Sequence, residues 1–252
     1  MTDHIVIERA GETGAINVIR FNRPEKKNAI TRAMYSTMAR ALIEGDRDDT
    51  VRVHVMLGTP GAFSSGNDMQ DFMAVAMGGS MGTEVLDFLA SLATAKKPIV
   101  SGVDGLAIGV GTTIHMHCDL TFATPDSRFH TPFVDLALVP EAGSSLLAPA
   151  VMGHQKAFAL LAAGIPVSGE EAERSGLIYK VVSAEELEPA VFAAAENLAQ
   201  KPPQALAISR KLVKPDPDAV IARMREEAEL FADRLKSAEA LAAFQAFMMR
   251  KK

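Results

Sequence analysis

Runs of apolar residues in the first half of the chain alternate with segments that have the period of a helix. Five of these runs predict strands: residues 5–8, 15–21, 51–57, 98–103 and 119–123. The first two are joined through Gly11 and Gly14, a signal typical of a hairpin. Thr31 fits the N-cap of a helix that continues to about Gly45. The alternation of strands and helices predicts an α/β fold.

The second half of the chain has fewer strand signals and more helix signals. A strand is predicted at residues 176–182, between two Ser-x-x-Glu capping boxes that begin at Ser168 and Ser183. From Glu185 onward nearly every residue lies in a predicted helix, and residues 219–248 have the pattern of one long amphipathic helix. Apolar helices that follow the strands in this way predict packing on the core or between subunits.

Residues 103–113 contain three glycines between a predicted strand and a helix expected at residues 112–118. Glycines let a chain turn sharply, and the start of a helix leaves N–H groups free for negative charge. An ordinary strand-to-helix connection without a ligand explains the stretch equally well. Ile114 replaces the third glycine of a dinucleotide-binding G-x-G-x-x-G motif, which argues against that site.

A second glycine turn follows a predicted strand at residues 58–68. Two such turns from parallel strands could direct two N–H groups at one oxygen atom, which is how many enzymes stabilise an oxyanion. The alternative is that strand–turn–helix units recur in every α/β protein.

Composition and charge exclude several classes of protein. The chain has 252 residues, is 48% hydrophobic and 23% charged, and carries a formal net charge of −5. This charge, without a basic cluster, argues against binding to nucleic acid or to an anionic membrane, and no apolar run is long enough to span a bilayer. The single Cys118 and an N-terminus without a signal-peptide pattern predict a cytoplasmic location.

Three other groups of residues suggest chemistry but have structural explanations. One group consists of residue types that bind metals: His115, His117, Cys118 and Asp119. No second ligand pair lies near them in the sequence, so we expect no metal site. Ser64 or Ser65 could form a hydrolase triad with His130 and Asp135, but no G-x-S-x-G motif surrounds the serines. Methionines at positions 69, 73, 77 and 81 share one helical face, which predicts core packing or a pocket for flexible chains.

Several motifs together resemble the crotonase superfamily, the enoyl-CoA hydratase/isomerase family. They are Phe21-Asn22-Arg23-Pro24, Asn28-Ala29, residues 62–68, residues 97–111, Cys118-Asp119, residues 129–132 and residues 164–182. The resemblance implies a spiral of repeated strand-strand-helix turns at residues 1–196. It also implies a helical C-terminal region at residues 197–252, which packs on the core and serves trimerisation. The expected assembly is a homotrimer or a dimer of trimers.

The resemblance also implies which residues form the site. The two N–H donors to a thioester oxyanion fall on Asn67 and Val110. The two glutamates of the hydratases are replaced by Thr113 and Phe133, whereas Glu141 matches the single glutamate of the delta-3 to delta-2 enoyl-CoA isomerases. The residues expected to contact the acyl-CoA substrate are Lys27, Ala29, Ser65, Gly66 and Asp68 along CoA, and Ile108, Gly109, Pro132 and Phe133 near the acyl chain. No metal or redox cofactor is implied, and coenzyme A enters only as part of the substrate.

One base is enough for isomerisation, because a proton leaves C2 and one returns at C4 without activation of water. Apolar neighbours such as Phe133, Leu138 and Val139 would raise the pKa of Glu141, whereas the helix that starts just after it would lower the pKa. Glu141 could instead serve only to satisfy the free N–H groups of that helix. Hydration or hydrolysis of a CoA ester, and a catalytically silent or RNA-binding relative, also stay open.

Overall fold

The computed structural model describes residues 3–76 and 82–250. Its strands are β1 Ile5–Ala10, β2 Ile16–Phe21, β3 Val53–Leu57, β4 Ala62–Ser64, β5 Ile99–Val103, β6 Leu106–Ile108, β7 Leu120–Ala123, β8 Arg128–His130, β9 Val167–Ser168 and β10 Lys180–Val181. Its α-helices are α1 Arg32–Arg47, α2 Met69–Ala76, α3 Glu84–Thr94, α4 Val110–Thr113, α5 Ser144–Met152, α6 His154–Leu161, α7 Gly169–Ser175, α8 Ala184–Ala199, α9 Pro203–Val213, α10 Pro217–Leu235 and α11 Ala238–Arg250. Short 3-10 helices occur at Pro24–Lys26, Ile114–His117 and Val134–Leu136.

The larger sheet has six strands in the order β1-β2-β3-β5-β7-β10. β1 and β2 form the predicted antiparallel hairpin, with Ile5 opposite Phe21, and the following pairs are parallel. Every residue of β3 and β5 is buried, as expected for central parallel strands that are covered on both faces. The continuous apolar runs that predicted these strands have this physical origin.

Apolar side chains pack on both faces of this sheet. On one face, Leu187, Val191 and Ala195 of α8 contact residues of β2, β3 and β5. On the other face, α1 and α3 pack together with the core residues of the smaller sheet. Thr31 caps α1 as predicted, because its side chain accepts the N–H of Met34.

The smaller sheet has four short strands in the order β4-β6-β8-β9. β4 and β6 lie inside the two stretches that the sequence indicated as glycine turns, so neither strand was predicted. Strands of three residues are too short to establish a period of two. β8 overlaps the motif at residues 129–132 and pairs in parallel with β6.

Three predicted elements differ from those observed, each for a local reason. The strand expected at residues 176–182 is reduced to β10, because Gly176 at φ 82° caps the end of α7. The long helix expected at residues 219–248 is two helices, since the Ser237 hydroxyl accepts the N–H of Ala240 and begins α11. The helix expected at residues 112–118 is α4 followed by a 3-10 turn at Ile114–His117.

The C-terminal helices α10 and α11 pack on the rest of the chain, near α3, α5 and the 3-10 turn Val134–Leu136. The predicted boundary at residues 196/197 falls inside α8, which ends at Ala199. The division into a core and a C-terminal region stays a prediction. None of the helices within the described ranges has both the length and the apolar character needed to cross a bilayer.

Candidate active site

Two glycine turns meet at one end of the smaller sheet. Gly66 follows β4 at φ 89°, and a Cβ atom there would lie 2.9 Å from the carbonyl oxygen of Ile108, the last residue of β6. A Cβ atom on Gly111 in α4 would lie 2.8 Å from the carbonyl oxygen of Ser64. Glycine is required at both positions because the backbones are in direct contact. The parallel pairing of β4 with β6 therefore brings the two turns together.

Asn67 and Val110 lie beside these two glycines. Asn67 is fixed by Ile30, whose N–H donates to Gly66 at 2.8 Å and whose carbonyl accepts the N–H of Asp68 at 2.9 Å. The N–H of Asn67 points away from this ladder. Val110 is the first residue of α4, so its N–H has no acceptor within the helix. Among the residues that the structure describes, neither N–H donates a hydrogen bond, and both are free for a ligand.

The carboxyl group of Glu141 lies against α4, at the last residue of that helix. The Thr113 hydroxyl donates to Oε1 of Glu141 at 2.6 Å and also contacts the carbonyl oxygen of Val110 at 3.4 Å. Burial raises the pKa of Glu141 to about 8, with a further increase from the nearby carboxylate of Glu227, whereas the hydrogen bond from Thr113 opposes the increase. A carboxyl group with a pKa near neutrality can both take up and release a proton.

The N-terminus of α5 is capped by Glu227 and not by Glu141. Oε2 of Glu227 accepts the N–H of Gly143 at 2.6 Å, and its Oε1 accepts the N–H of Ser145 at 2.9 Å. The interpretation of Glu141 as a helix-capping carboxylate is therefore wrong.

Two interactions around Asn67 had no signal in the sequence. The hydroxyl of Tyr35, a buried residue of α1, donates to Oδ1 of Asn67 at 2.7 Å. Arg23 pairs with Asp68 at 2.6 Å, and the other carboxylate oxygen of Asp68 accepts the N–H of Gln70 at the start of α2. Both interactions restrain the backbone on either side of the free N–H group.

The residues predicted to lie along CoA are neighbours in the fold, but Gly66 and Asp68 among them are buried. Ser65 donates its N–H to the carbonyl of Lys27 at 2.9 Å, and the carbonyl of Ala29 accepts a guanidinium N–H of Arg23 at 2.9 Å. The Lys27 side chain is exposed, whereas Asn28 between them is fully buried and donates to the carbonyl of Ala62 at 2.8 Å. Asn28 thus fixes the loop, and Lys27 is left free for a ligand.

The residues predicted near the acyl chain are also brought to this end of the sheet. Gly109 donates its N–H to His130 at 2.8 Å, which places Ile108 and Gly109 against the strand that leads to Pro132. Phe133 is buried, and its carbonyl accepts the N–H of Leu138 at 2.7 Å, which closes the turn that precedes Glu141.

The rival hydrolase arrangement is wrong. The hydroxyl of Ser64 donates to Asn28 at 2.8 Å, and that of Ser65 donates to Lys26 at 3.2 Å. His130 is hydrogen-bonded through Nε2 to the carbonyl of Gly164 at 3.0 Å. Both serines and the histidine are therefore engaged with backbone groups and not with one another.

His115 is a core residue of the fold. Its ring packs between Phe63 and Phe129, and its Nδ1 lies 3.0 Å from the hydroxyl of Ser101. Burial lowers the pKa of His115 to about 3, so the ring stays neutral. Within residues 3–76 and 82–250, no three His, Cys, Asp or Glu side chains lie close enough to hold a metal ion together.

The methionine face is only partly within the described residues. Met69 and Met73 are half-buried against the main core, in agreement with the core-packing interpretation. Met77 and Met81 lie outside the described residues.

Comparisons with known proteins agree with this architecture. The family profile described as Enoyl-CoA hydratase/isomerase matches residues 11–252. Enoyl-CoA delta isomerase 2 of Rattus norvegicus is 35% identical over 244 residues, which cover 94% of this chain and 62% of the rat protein. The chain thus spans less than two thirds of that relative. The probable enoyl-CoA hydratase of Mycobacterium leprae is 29% identical over 217 residues, covering 86% of this chain and 84% of that protein.

A solved structure gives the same result for the fold. OdaA of Pseudomonas aeruginosa superposes with a TM-score of 0.92 at 39% identity, covering 98% of this chain and 99% of that one. The crotonase-like α/β fold and the family predicted from the sequence motifs are confirmed. The chain belongs to the enoyl-CoA hydratase/isomerase family of the crotonase superfamily.

Proposed function

We propose that the chain is an acyl-CoA-thioester isomerase that moves a double bond from C3 to C2. The observation that carries the proposal is the carboxyl group of Glu141, which lies partly buried next to α4 with a pKa of about 8. The hydratase pair of glutamates is replaced by Thr113 and Phe133. One proton shuttle suits an isomerisation, and no second carboxylate is needed to activate water.

The thioester carbonyl would accept the free N–H groups of Asn67 and Val110. As a proton leaves C2, negative charge moves onto this oxygen atom, and the two donors stabilise it. Each well-placed donor of this kind contributes about 3–4 kcal/mol to the stability of the transition state. Glu141 takes the proton from C2 and returns it to C4, so the enzyme ends the cycle in its starting protonation state.

A hydratase is the second candidate, because relatives at similar identity carry hydratase names. Purified wild type and Glu141→Gln should be assayed on a 3-enoyl-CoA and on a 2-enoyl-CoA, with the exposed Glu185→Gln as the matched control. We expect wild type and the control to isomerise the 3-enoyl thioester and Glu141→Gln to lose at least about 10³-fold in kcat. Isomerisation that survives in Glu141→Gln would refute the role of Glu141, and faster hydration of the 2-enoyl thioester by wild type would favour the second candidate.

The assembly is proposed as a homotrimer or a dimer of trimers. Helix α9 supports this proposal, because Ile208, Leu212 and Val213 are 62%, 79% and 82% exposed, an unusual amount of apolar surface for one helix. Light scattering of the wild type should give a multiple of three chains, and Leu212→Glu should reduce it. A wild type that is monomeric at micromolar concentration would contradict the proposal. The cytoplasmic location and the absence of a redox cofactor stay predictions.

A further inference from the structure

Glu227 is a carboxylate on the apolar face of α10. It is 5% exposed and follows the spacing of the buried residues Val220, Met224, Phe231 and Leu235 on the same helix. A carboxylate in such a position is costly unless hydrogen-bond donors surround it. Its place in the fold therefore requires an explanation beyond packing.

The donors around Glu227 all come from the first turn of α5. They are the N–H of Gly143 at 2.6 Å on Oε2, and the N–H and hydroxyl of Ser145 at 2.9 and 2.6 Å on Oε1. These N–H groups are among those that a helix N-terminus leaves without partners. Three donors within 2.9 Å of its two oxygen atoms offset the cost of burying this carboxyl group.

The segment that Glu227 holds is the segment that carries Glu141. The carbonyl of Glu141 accepts the N–H of Ser144 at 3.0 Å, and Ala142 adopts the left-handed region at φ 62°. The ring of His117 holds the carbonyl of Ala142 from the opposite side at 2.8 Å. The base is thus attached to a short turn that is fixed at two points.

We propose that Glu227 is a positioning residue which fixes the turn that carries Glu141 and sets the charge around that base. It does so by occupying the positive end of α5 and by placing a second negative charge in the same enclosed region. The inference rests on the proposed function of Glu141 for its catalytic meaning. The electrostatic interaction between the two carboxylates exists whatever the reaction is.

Both effects of Glu227 change the pKa of Glu141 in the same direction. Its charge raises the pKa of Glu141, and an uncapped α5 would instead stabilise the ionised form of Glu141. Removal of the charge at position 227 should therefore lower the pKa of Glu141.

Other titratable groups near Glu141 and Glu227 do not change the effect of Glu227 on the pKa of Glu141. Burial lowers the pKa of His117 to about 4 and raises the pKa of Tyr35 well above its usual value, so both stay neutral. Arg223 of α10 donates to the Ser145 hydroxyl at 3.2 Å and is paired with Glu226 at 3.0 Å on the surface. Within the described residues, Glu227 is the charged neighbour that acts on Glu141.

The first test is the pH dependence of kcat/KM for isomerisation. The acid limb, where kcat/KM falls toward low pH, reports ionisation of Glu141 in the free enzyme. Glu227→Gln should move this limb to lower pH by about 1 unit. The matched control is Glu229→Gln, which removes an exposed carboxylate from the same helix and should leave the limb in place. A uniform loss of activity without a shift of the limb would mean that Glu227 is only structural and would overturn the proposal.

Glu227→Asp separates charge from shape. It keeps the negative charge and shortens its reach, so stability should fall while the acid limb stays within about 0.3 units of wild type. A limb that moves to lower pH although the charge is still present would contradict the proposal.

A second test does not depend on activity. The stability gain of Glu141→Gln at pH 9 should be larger in the wild-type background than in the Glu227→Gln background, because Glu227 is the charge that disfavours ionised Glu141. An equal gain in both backgrounds would refute the coupling. If the coupling is present and isomerase activity is absent, the proposed function fails while the electrostatic inference stands.

Discussion

Replacing Glu141 with Gln should make the protein more stable at alkaline pH and change it little at acid pH. Folding raises the pKa of this carboxyl group from 4.5 to about 8. Below about pH 4.5 the group is protonated in both states and contributes nothing. Between that pH and about 8, the unfolded chain releases a proton that the folded protein retains, so stability falls as pH rises.

The size of the effect follows from the shift. At about 1.4 kcal/mol per pKa unit, the full shift corresponds to about 5 kcal/mol for a rigid interior. Part of Glu141 is exposed to solvent, and relaxation of the side chain toward water reduces the free-energy cost of its ionisation. We therefore expect a measured difference of about 2–3 kcal/mol. Gln keeps an oxygen atom that accepts from the Thr113 hydroxyl, so the substitution changes mainly the charge.

Urea denaturation of both proteins at pH 5, 7 and 9, at one protein concentration, measures this difference. The free energy of unfolding of Glu141→Gln minus that of wild type should be smallest at pH 5 and increase toward pH 9. The exposed Glu185→Gln should show no such increase. A difference that is independent of pH would refute the argument that ionisation of Glu141 is costly in the folded protein.

Three further substitutions test the geometry around the base and the N–H donors. Gly66→Ala should lower kcat and should lower stability by about 1–3 kcal/mol, because it places a Cβ atom 2.9 Å from the Ile108 carbonyl oxygen at a residue with φ 89°. Unchanged kcat and an unchanged melting temperature would contradict the close contact. Tyr35→Phe should lower kcat about tenfold while costing only about 1 kcal/mol of stability, since it removes the donor to Asn67; unchanged kcat would show that this hydrogen bond does not position the site. Thr113→Val should move the acid limb of kcat/KM to higher pH by about 1 unit, because the hydrogen bond from its hydroxyl favours the ionised base; a shift to lower pH would contradict this sign.

The sequence predicted the larger sheet well because its strands are long, apolar and covered on both faces. β3 and β5 show this most clearly, since every one of their residues is buried. The smaller sheet was missed because β4 and β6 have three residues each and are surrounded by glycines. Yet this sheet is what brings the two glycine turns together. Hydrophobic periodicity therefore fails to predict the smaller sheet, which matters most for the site.

The candidate site was predictable to a different extent for each residue. Asn67, Val110 and Glu141 were named from motif resemblance, not from geometry. Tyr35 gave no signal, because its partner is 32 residues away and its position on α1 resembles any core position. Glu227 did give a signal in the sequence. A glutamate at the spacing of the buried apolar residues of an amphipathic helix indicates a carboxylate with buried partners.

The most direct test of the central claim is exchange of the C2 protons of a saturated acyl-CoA in D₂O, followed by NMR. A saturated thioester can neither isomerise nor add water, so the measurement isolates proton removal beside the two N–H groups. The account predicts exchange with wild type and a loss of at least about 100-fold with Glu141→Gln, at unchanged affinity for the thioester. Equal exchange by the two proteins would contradict the assignment of Glu141 as the base.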